Sequence, residues 1–475
     1  MHITKKEKTM KLYNSLSHTK EDFIPNEPGK VKIYTCGPTV YHFAHIGNLR
    51  TYIMEDALVR SLEYLGYKVK RVMNITDVGH LTGDSDDGED KMLKGAKREK
   101  KSVMEIAQFY TDAFMKDCEA LNIKKPNVIQ PATGCIPEFI KMIEKLLADG
   151  YAYEAGGNVY FDISKLEKYY VFGDHDAEDL EVGVREGVEG DENKRNPADF
   201  ALWFTKSKFD DQELKWDSPW GVGYPGWHIE CSAISLKYCG NSLDIHCGGI
   251  DNAFPHHTNE IAQTEAYLGH KWCNYWFHVL HLNTTSGKMS KSKGEFLILD
   301  LLKEKGYDPL AYRFFCLQSH YRKPLVFSYE ALDNAVTAYR KLRTRTSALT
   351  NDGTVDKEFF AKAKEAFSEA LGNDINTSLA ITAVYDALKL ETNDATKRAL
   401  VADFDRVLAL DLLTPFAPEA KDEEEGDPEI LEQIALRAAA KKAKNFAEAD
   451  RIRNELAARG ITLIDTPQGT TYKKA

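Results

Sequence analysis

Between Val31 and Ile75 the chain reads strand, helix, strand, and this pattern restricts its fold more than any other feature. Val31–Thr35 and Val69–Ile75 are short β-prone runs. Between them Met54–Leu65 repeats its apolar residues at helical spacing and stops at Gly66. A βαβ unit lays its two strands parallel. Strand-like runs at Ser242–His246 and Trp276–Leu282 extend the same sheet. The resulting class is α/β: a Rossmann-like parallel-sheet domain with its binding loops at the strands' carboxyl ends.

The rest of the chain divides around that sheet. Residues 125–220 separate two halves of the parallel-sheet domain, 1–124 and 221–328, and read as an inserted connective subdomain. Within it, Tyr151–Ile163 carries Gly156-Gly157-Asn158 between β-prone flanks, which predicts a hairpin. From Tyr329 the pattern turns helical, and 329–420 reads as a helical bundle. The acidic stretch Lys421–Pro428 (KDEEEGDP) reads as a linker, with a small C-terminal unit over 429–475. A chain of 475 residues is long enough for several such units.

Charge bears on the partners. The net charge of -11, from 62 basic and 73 acidic residues, gives no global attraction to nucleic acid, so any RNA contact must be local. One basic stretch does stand out: from Gln433 onward nine Lys or Arg face four Asp or Glu. The eight cysteines, at 36, 118, 135, 231, 239, 247, 273 and 316, form no CxxC pair, which suits a reducing cytosol. The N-terminal MHITKKEKTM has no apolar signal core, and no run approaches the ~18 apolar residues of a membrane span. A soluble, cytoplasmic protein without membrane contact is expected.

Two constellations carry chemistry. His256 and Glu260, in the run FPHHTNE, lie one helical turn apart and point the same way. With Cys231 they offer one metal a soft, a borderline and a hard donor, a mixture that suits zinc. The second constellation is for phosphate. Cys36-Gly37-Pro38-Thr39 follows the first strand, and His45-Ile46-Gly47-Asn48 falls where the next helix begins, so backbone amides and the helix dipole favour an anion there. Far downstream, Ser286–Gly294 is a Gly- and Ser-rich loop with Lys288, Lys291 and Lys293, suited to folding over a polyphosphate. This is ATP chemistry without a Walker loop. Taken singly, Cys36 or Cys231 is more often a small buried hydrophobe than a ligand and a lone HxxxE pair more often a solvated or capping one; their joint occurrence inside the motifs reverses the balance.

These motifs resemble those of a known family. HIGN at 45–48 matches the HIGH signature of class I aminoacyl-tRNA synthetases, and KMSKS at 288–292 is that family's second signature unaltered. With CGPT at 36–39, NITD at 74–77, GWHIEC at 226–231, DIHCGGID at 244–251 and FPHH at 254–257, the combination resembles the cysteinyl-tRNA synthetases almost end to end. The resemblance implies one Zn2+ on Cys36, Cys231, His256 and Glu260, holding the substrate thiolate. It also implies Thr39, Thr76 and Trp227 around L-cysteine, and His45, Gly47, Asn48, His246, Gly248, Asp251 and Lys291 around ATP. His45, Asn48, Lys288 and Lys291 would serve catalysis with Mg2+. The partners implied are L-cysteine, ATP and tRNA(Cys), with a monomeric enzyme expected.

The resemblance has departures and limits. Asn48 stands where the signature has its second histidine, Cys247 replaces a glycine, and Thr258 replaces an acid. Asn48 can donate a hydrogen bond but carries no charge, so slower adenylate formation is expected. The tail RAAAKKAKNFAEADRIRNEL and its ending GITLIDTPQGTTYKK resemble the family's anticodon-recognition unit, with Arg437, Arg451 and Arg453 as exposed candidates for RNA contact. Two rivals remain at this stage. One is the related ligase that joins cysteine to an amino sugar and lacks an anticodon unit, against which the basic tail speaks. The other is a non-catalytic RNA-binding paralogue, against which the intact KMSKS speaks.

Overall fold

The computed structural model describes residues 10–78, 101–173, 192–206, 213–284, 287–288, 297–416, 428–443, 445–466 and 469–474. Of the expected acidic linker Lys421–Pro428, residues 421–427 lie outside the described residues, and Pro428 begins a helix. The chain forms two compact units, Met1–Thr414 and Pro415–Ala475.

The first unit is built on a five-stranded parallel sheet: β1 (Lys30–Thr35), β2 (Lys68–Ile75), β3 (Val128–Pro131), β4 (Leu243–Gly249) and β5 (Cys273–Val279). Their order is β5-β4-β1-β2-β3, and every neighbouring pair is parallel. Strand order reverses at β1, so a crevice opens beyond the carboxyl ends of β1 and β4, where α/β sheets bind ligands. The central strands are buried on both faces: Ile33, Tyr34, Ile245 and Cys247 are all fully buried.

Helix α1 (Ile46–Tyr64) links β1 to β2 and begins two turns before the apolar spacing that predicted it from Met54. The turns ahead of that spacing, whose start at His45–Asn48 was expected from the motif, hold Gly47, Asn48 and Arg50, which read as polar or helix-breaking. Tertiary contacts override them. Arg50 is fully buried, and its guanidinium donates to the carbonyls of His281 (2.8 Å), Lys323 (2.7 Å) and Leu280. It thereby ties α1 to the segment after β5. Asp56 and Glu55, also fully buried, are held by Arg313 (2.6 Å) and Arg71 (2.9 Å). Buried charges survive only when paired in this way.

The predicted hairpin is present as Ala152–Ala155 and Asn158–Phe161, turned by Gly156 (φ 59°) and Gly157 (φ 94°). Positive φ at both central residues is what a tight hairpin turn requires. Phe200–Phe204 and Tyr224–Pro225 complete a four-stranded antiparallel sheet. The edges of the insertion therefore differ from 125 and 220. Val128–Pro131 belongs to the parallel sheet and Tyr224–Pro225 to the antiparallel one, and strands of four and two residues are too short to carry a periodic signal. Beyond Ser328 come helices Tyr329–Ser347, Lys357–Gly372, Thr377–Ala387 and Asp394–Leu408. Two more helices in the first unit frame the site: α2 (Trp227–Cys239) and α3 (Thr258–Leu268).

The second unit pairs helices Pro428–Lys442 and Phe446–Ala458 with the hairpin Ile461–Thr466/Gly469–Lys474, around a core of Ile430, Ile452, Leu456 and Ile461. Among the described residues no helix is long and apolar enough to cross a membrane.

Candidate active site

A cavity of about 410 Å³ lies at the carboxyl end of the sheet, large enough for a small-molecule site. Its wall includes Cys36, Gly37 and Thr39 beyond β1, His45, Gly47 and Asn48 at the start of α1, Asn74 and Thr76 at the end of β2, Trp227 and Cys231 on α2, and Asp251 and His256. The sequence scatters these residues over 220 positions. Parallel strands bring them together because each loop leaves the sheet at the same edge.

One end of the cavity gathers metal-binding atoms. Cys36, Cys231, His256 and Glu260 place one donor atom each within 4.8 Å of the others. Cys36 Sγ is 4.0 Å from Cys231 Sγ and from Glu260 Oε1, while His256 Nε2 is 3.1 Å from Glu260 Oε1. Tetrahedral zinc with ligand bonds of ~2.0–2.3 Å needs donors about 3.5 Å apart, so shifts of tenths of an ångström close the set. A second set, Cys36, His246, His257 and Glu260, satisfies the same distance limit. Access to the cavity separates the two. Cys36, Cys231 and His256 of the first set line the cavity, whereas Cys36 alone of the second does. A metal on the first set can take a further ligand from the cavity.

Outer partners fix the first set. His256 turns its Nδ1 to His228 Nδ1 at 2.9 Å, and its ring stacks on Trp227 at 4.2 Å. Glu260 Oε2 lies 2.9 Å from His246 Nε2. Such contacts orient ligands and tune their basicity. Burial opposes a charge on Glu260, yet His246 and His256 hold its pKa down to about 2. Burial likewise opposes charge on His256, yet Glu260 and Cys231 lift it to about 10. Burial pushes the Cys36 thiol well up, while against the same burial the contacts with Cys36 and His256 bring Cys231 down to about 6. The metal-free cluster thus keeps protons that a metal must displace.

The other end of the cavity is the first turn of α1. His45 caps it: the Asn48 backbone N–H donates to His45 Nδ1 at 3.1 Å. Gly47 makes room for that ring, since a Cβ there would sit 3.0 Å from it. Asn48 is exposed on the cavity wall. Thr39 and Thr76 pair across the loops beyond β1 and β2. Asp251 faces His281 at 3.4 Å.

Two predicted nucleotide residues lie elsewhere. His246 is fully buried behind Glu260 and stacked on Trp276 at 4.6 Å, and Gly248 is packed against the His257 ring, which a Cβ would meet at 2.8 Å. Neither is part of the cavity wall. The side chain of Lys288 and all of Lys291 lie outside the described residues. Sequence reasoning missed His228, although it sits inside GWHIEC, and Glu230, which accepts from the Thr76 hydroxyl at 2.9 Å. A ligand's residue type is visible in sequence; its outer partner is not.

In the C-terminal unit Arg451 and Arg453 are exposed and paired with Glu448 (2.7 Å), Glu455 (2.7 Å) and Asp450 (3.3 Å). Arg437, expected to be exposed, is instead buried at 5% exposure. It lies seven residues after the buried Ile430, two helical turns along the same face, which carries it into the core side.

Comparison with known proteins defines the class first. Residues 22–337 match the family model of the class I (C) catalytic domain of tRNA synthetases. The fold resembles the methionyl-tRNA synthetase of Mycobacterium tuberculosis in complex with methionyl-adenylate, with a TM-score of 0.55 over 80% of this chain and 90% of that one; at 14% identity this speaks for the fold alone. Full-length relatives are more specific. The chain is 47% identical to a cysteine–tRNA ligase of Treponema denticola, over 98% of this chain and 100% of the relative. It is 45% identical to cysteine–tRNA ligase 1 of Burkholderia lata, over 96% and 95%. The chain belongs to the cysteine–tRNA ligase family, within the class I aminoacyl-tRNA synthetases.

Proposed function

We propose that this chain attaches L-cysteine to tRNA(Cys) in two steps within the one cavity, acting as a monomer in the cytoplasm. The observation that carries the reading is the pairing, across about 410 Å³, of a donor cluster able to hold a metal with a capped helix N-terminus. In the first step a carboxylate oxygen of cysteine bonds to the ATP α-phosphorus as the α–β bridging P–O bond breaks and pyrophosphate leaves with Mg2+. In the second, a terminal ribose hydroxyl of the tRNA attacks the acyl carbon and AMP departs.

The donor set Cys36, Cys231, His256 and Glu260 suits zinc: two thiolates, an imidazole and a carboxylate. Bound there, zinc supplies a soft partner for the substrate thiolate and so discriminates against serine's hydroxyl. With four protein donors this is a selecting site rather than a hydrolytic one. Trp227, Thr39 and Thr76 enclose the rest of the amino acid. His45, Gly47 and Asn48 receive ATP phosphates at the α1 N-terminus, with Asp251 toward the adenosine. Lys288 and Lys291 neutralise the charge that develops on the departing pyrophosphate. His246 serves Glu260 and Gly248 seats His257, one layer behind the nucleotide.

For the larger divisions, the parallel-sheet halves with the insertion perform the chemistry, the helices from Tyr329 support them, and the unit after residue 428 recognises the anticodon. The decisive experiment is transfer of labelled cysteine to total tRNA with ATP and magnesium, with serine competing. Charging with cysteine alone is expected. Adenylate formation without charging would shift the reading to a ligase with a small-molecule acceptor.

A further inference from the structure

Helix Val103–Ala120 buries Val103, Ile106, Ala107, Tyr110 and Phe114 at helical spacing. Phe109 falls off that face and is 43% exposed. Its position is not random. The ring meets Phe43 edge-on at 6.0 Å, and Phe43 also lines the catalytic cavity. Behind both, Tyr110 packs edge-to-face on Phe43 at 5.0 Å and stacks on His42 at 5.9 Å with 7° between the planes. The exposed Lys101 places its ammonium 4.4 Å over the Phe109 ring. An aromatic ledge, braced from below and carrying a cation, thus leads from solvent into the cavity.

We propose that Phe43 and Phe109, with Lys101, form the platform on which the unpaired 3′-terminal nucleotides of the tRNA stack as the acceptor end enters. The inference rests on the ligase reading, since transfer requires a single-stranded polynucleotide end to cross the cavity rim. Single strands bind through rings that stack on base faces and cations that meet the phosphates, and the ledge supplies both. Continuity with the cavity places it on the path of the acceptor, and the Lys101 charge suits a polyanion.

The test uses the full-length, zinc-loaded protein. Phe109→Ala is expected to raise KM for tRNA about tenfold, the size of one base-stacking contact, while cysteine-dependent ATP–pyrophosphate exchange stays at the parent level. Phe109→Trp is expected to restore charging. A tRNA made abasic at the unpaired positions before the terminal nucleotide should charge poorly with the parent protein but lose nothing further with Phe109→Ala. An unchanged KM for tRNA, a parallel fall in exchange, or equal abasic losses in both proteins would overturn the proposal. A parent protein inactive in both exchange and charging overturns the ligase reading itself, and the ledge with it; a parent that exchanges keeps the two failures apart.

Discussion

The two ends of the cavity are built in opposite ways. At the metal end Cys231, His256 and Glu260 are buried, and each of the last two has an outer histidine within 2.9 Å. At the other end the wall includes the first turn of one helix, where Asn48 is exposed and the Asn48 backbone N–H caps onto His45 Nδ1. Under the proposed reading the difference follows the task. Discriminating a thiol from a hydroxyl demands donors fixed before the substrate arrives, because a loose site accommodates either. Holding a triphosphate demands backbone amides and a dipole, which any helix N-terminus provides and which solvent screens until the substrate displaces it.

The sharpest way to break this comparison is to remove a donor. Cys231→Ser should abolish tight zinc binding and lower cysteine activation by more than the ~10–100-fold typical of losing an outer partner; metal content and ATP–pyrophosphate exchange report both. Should Cys231→Ser keep its zinc, the donor set is a different one. His246→Gln, which removes the imidazole behind Glu260 together with its stacking on Trp276, should weaken zinc by the ~10–100-fold of an outer-partner loss, read by competition with a chelator. Unchanged zinc affinity with a raised KM for ATP would return His246 to the nucleotide.

Proton release sharpens the same end. His256, lifted to about 10, must lose a proton before its Nε2 can bind, and so must the raised Cys36 thiol. Zinc affinity should therefore climb between pH 6 and 9, with proton uptake by the buffer seen in calorimetry across buffers of different ionisation enthalpy. The metal-free protein obeys the same shifts. Stabilisation from Glu260, depressed from 4.5 to about 2, is in place above 4.5 and lost as pH falls through 2. Stabilisation from His256, raised from 6.5 to about 10, is in place below 6.5 and lost as pH rises through 10. Cys231, brought down from 9.0 to about 6, gains stabilisation over the interval in which His256 loses it, so the Tm should stay nearly level between pH 6.5 and 9; a steep fall over that interval contradicts this.

At the nucleotide end the effects should be smaller. Asn48→His should speed adenylate formation by about tenfold, or ~1.4 kcal/mol of barrier, because a charged donor strengthens the phosphate contact. A single-turnover rate equal to the parent's would remove Asn48 from the phosphates. Smallest for catalysis is Arg437→Ala. Since Arg437 is buried, it should destabilise the C-terminal unit by ~1–3 kcal/mol without changing pyrophosphate exchange, as differential scanning calorimetry and the exchange assay would show.

How much of this was legible in the chain can be traced residue by residue. The strands β1, β2, β4 and β5, the hairpin and the late helices announce themselves, because periodic burial leaves a periodic sequence. The ligand types at Cys231, His256 and Glu260 were equally visible, with Cys36 added by family resemblance. The start of α1 at His45–Asn48 was legible, but the burial of Arg50 was hidden, since it reads as solvent-exposed and is instead satisfied by carbonyls far along the chain. The four-residue strand β3 was hidden for want of length, and Arg437 reads as an RNA contact until its helical face is known.

What the sequence determined by itself is chemistry and local geometry: which donors exist, where helices begin, which runs alternate or stay apolar. These depend on neighbours within a few residues. Tertiary structure alone decided that Cys36, Cys231, His256 and Glu260 gather at one end of the cavity, three of them in its wall, that His246 lies against Glu260, and that Phe109 stands beside Phe43. Those facts depend on how a parallel sheet gathers loops from positions 36 to 260 at one edge, and no local pattern encodes a distance between residues so far apart in the chain.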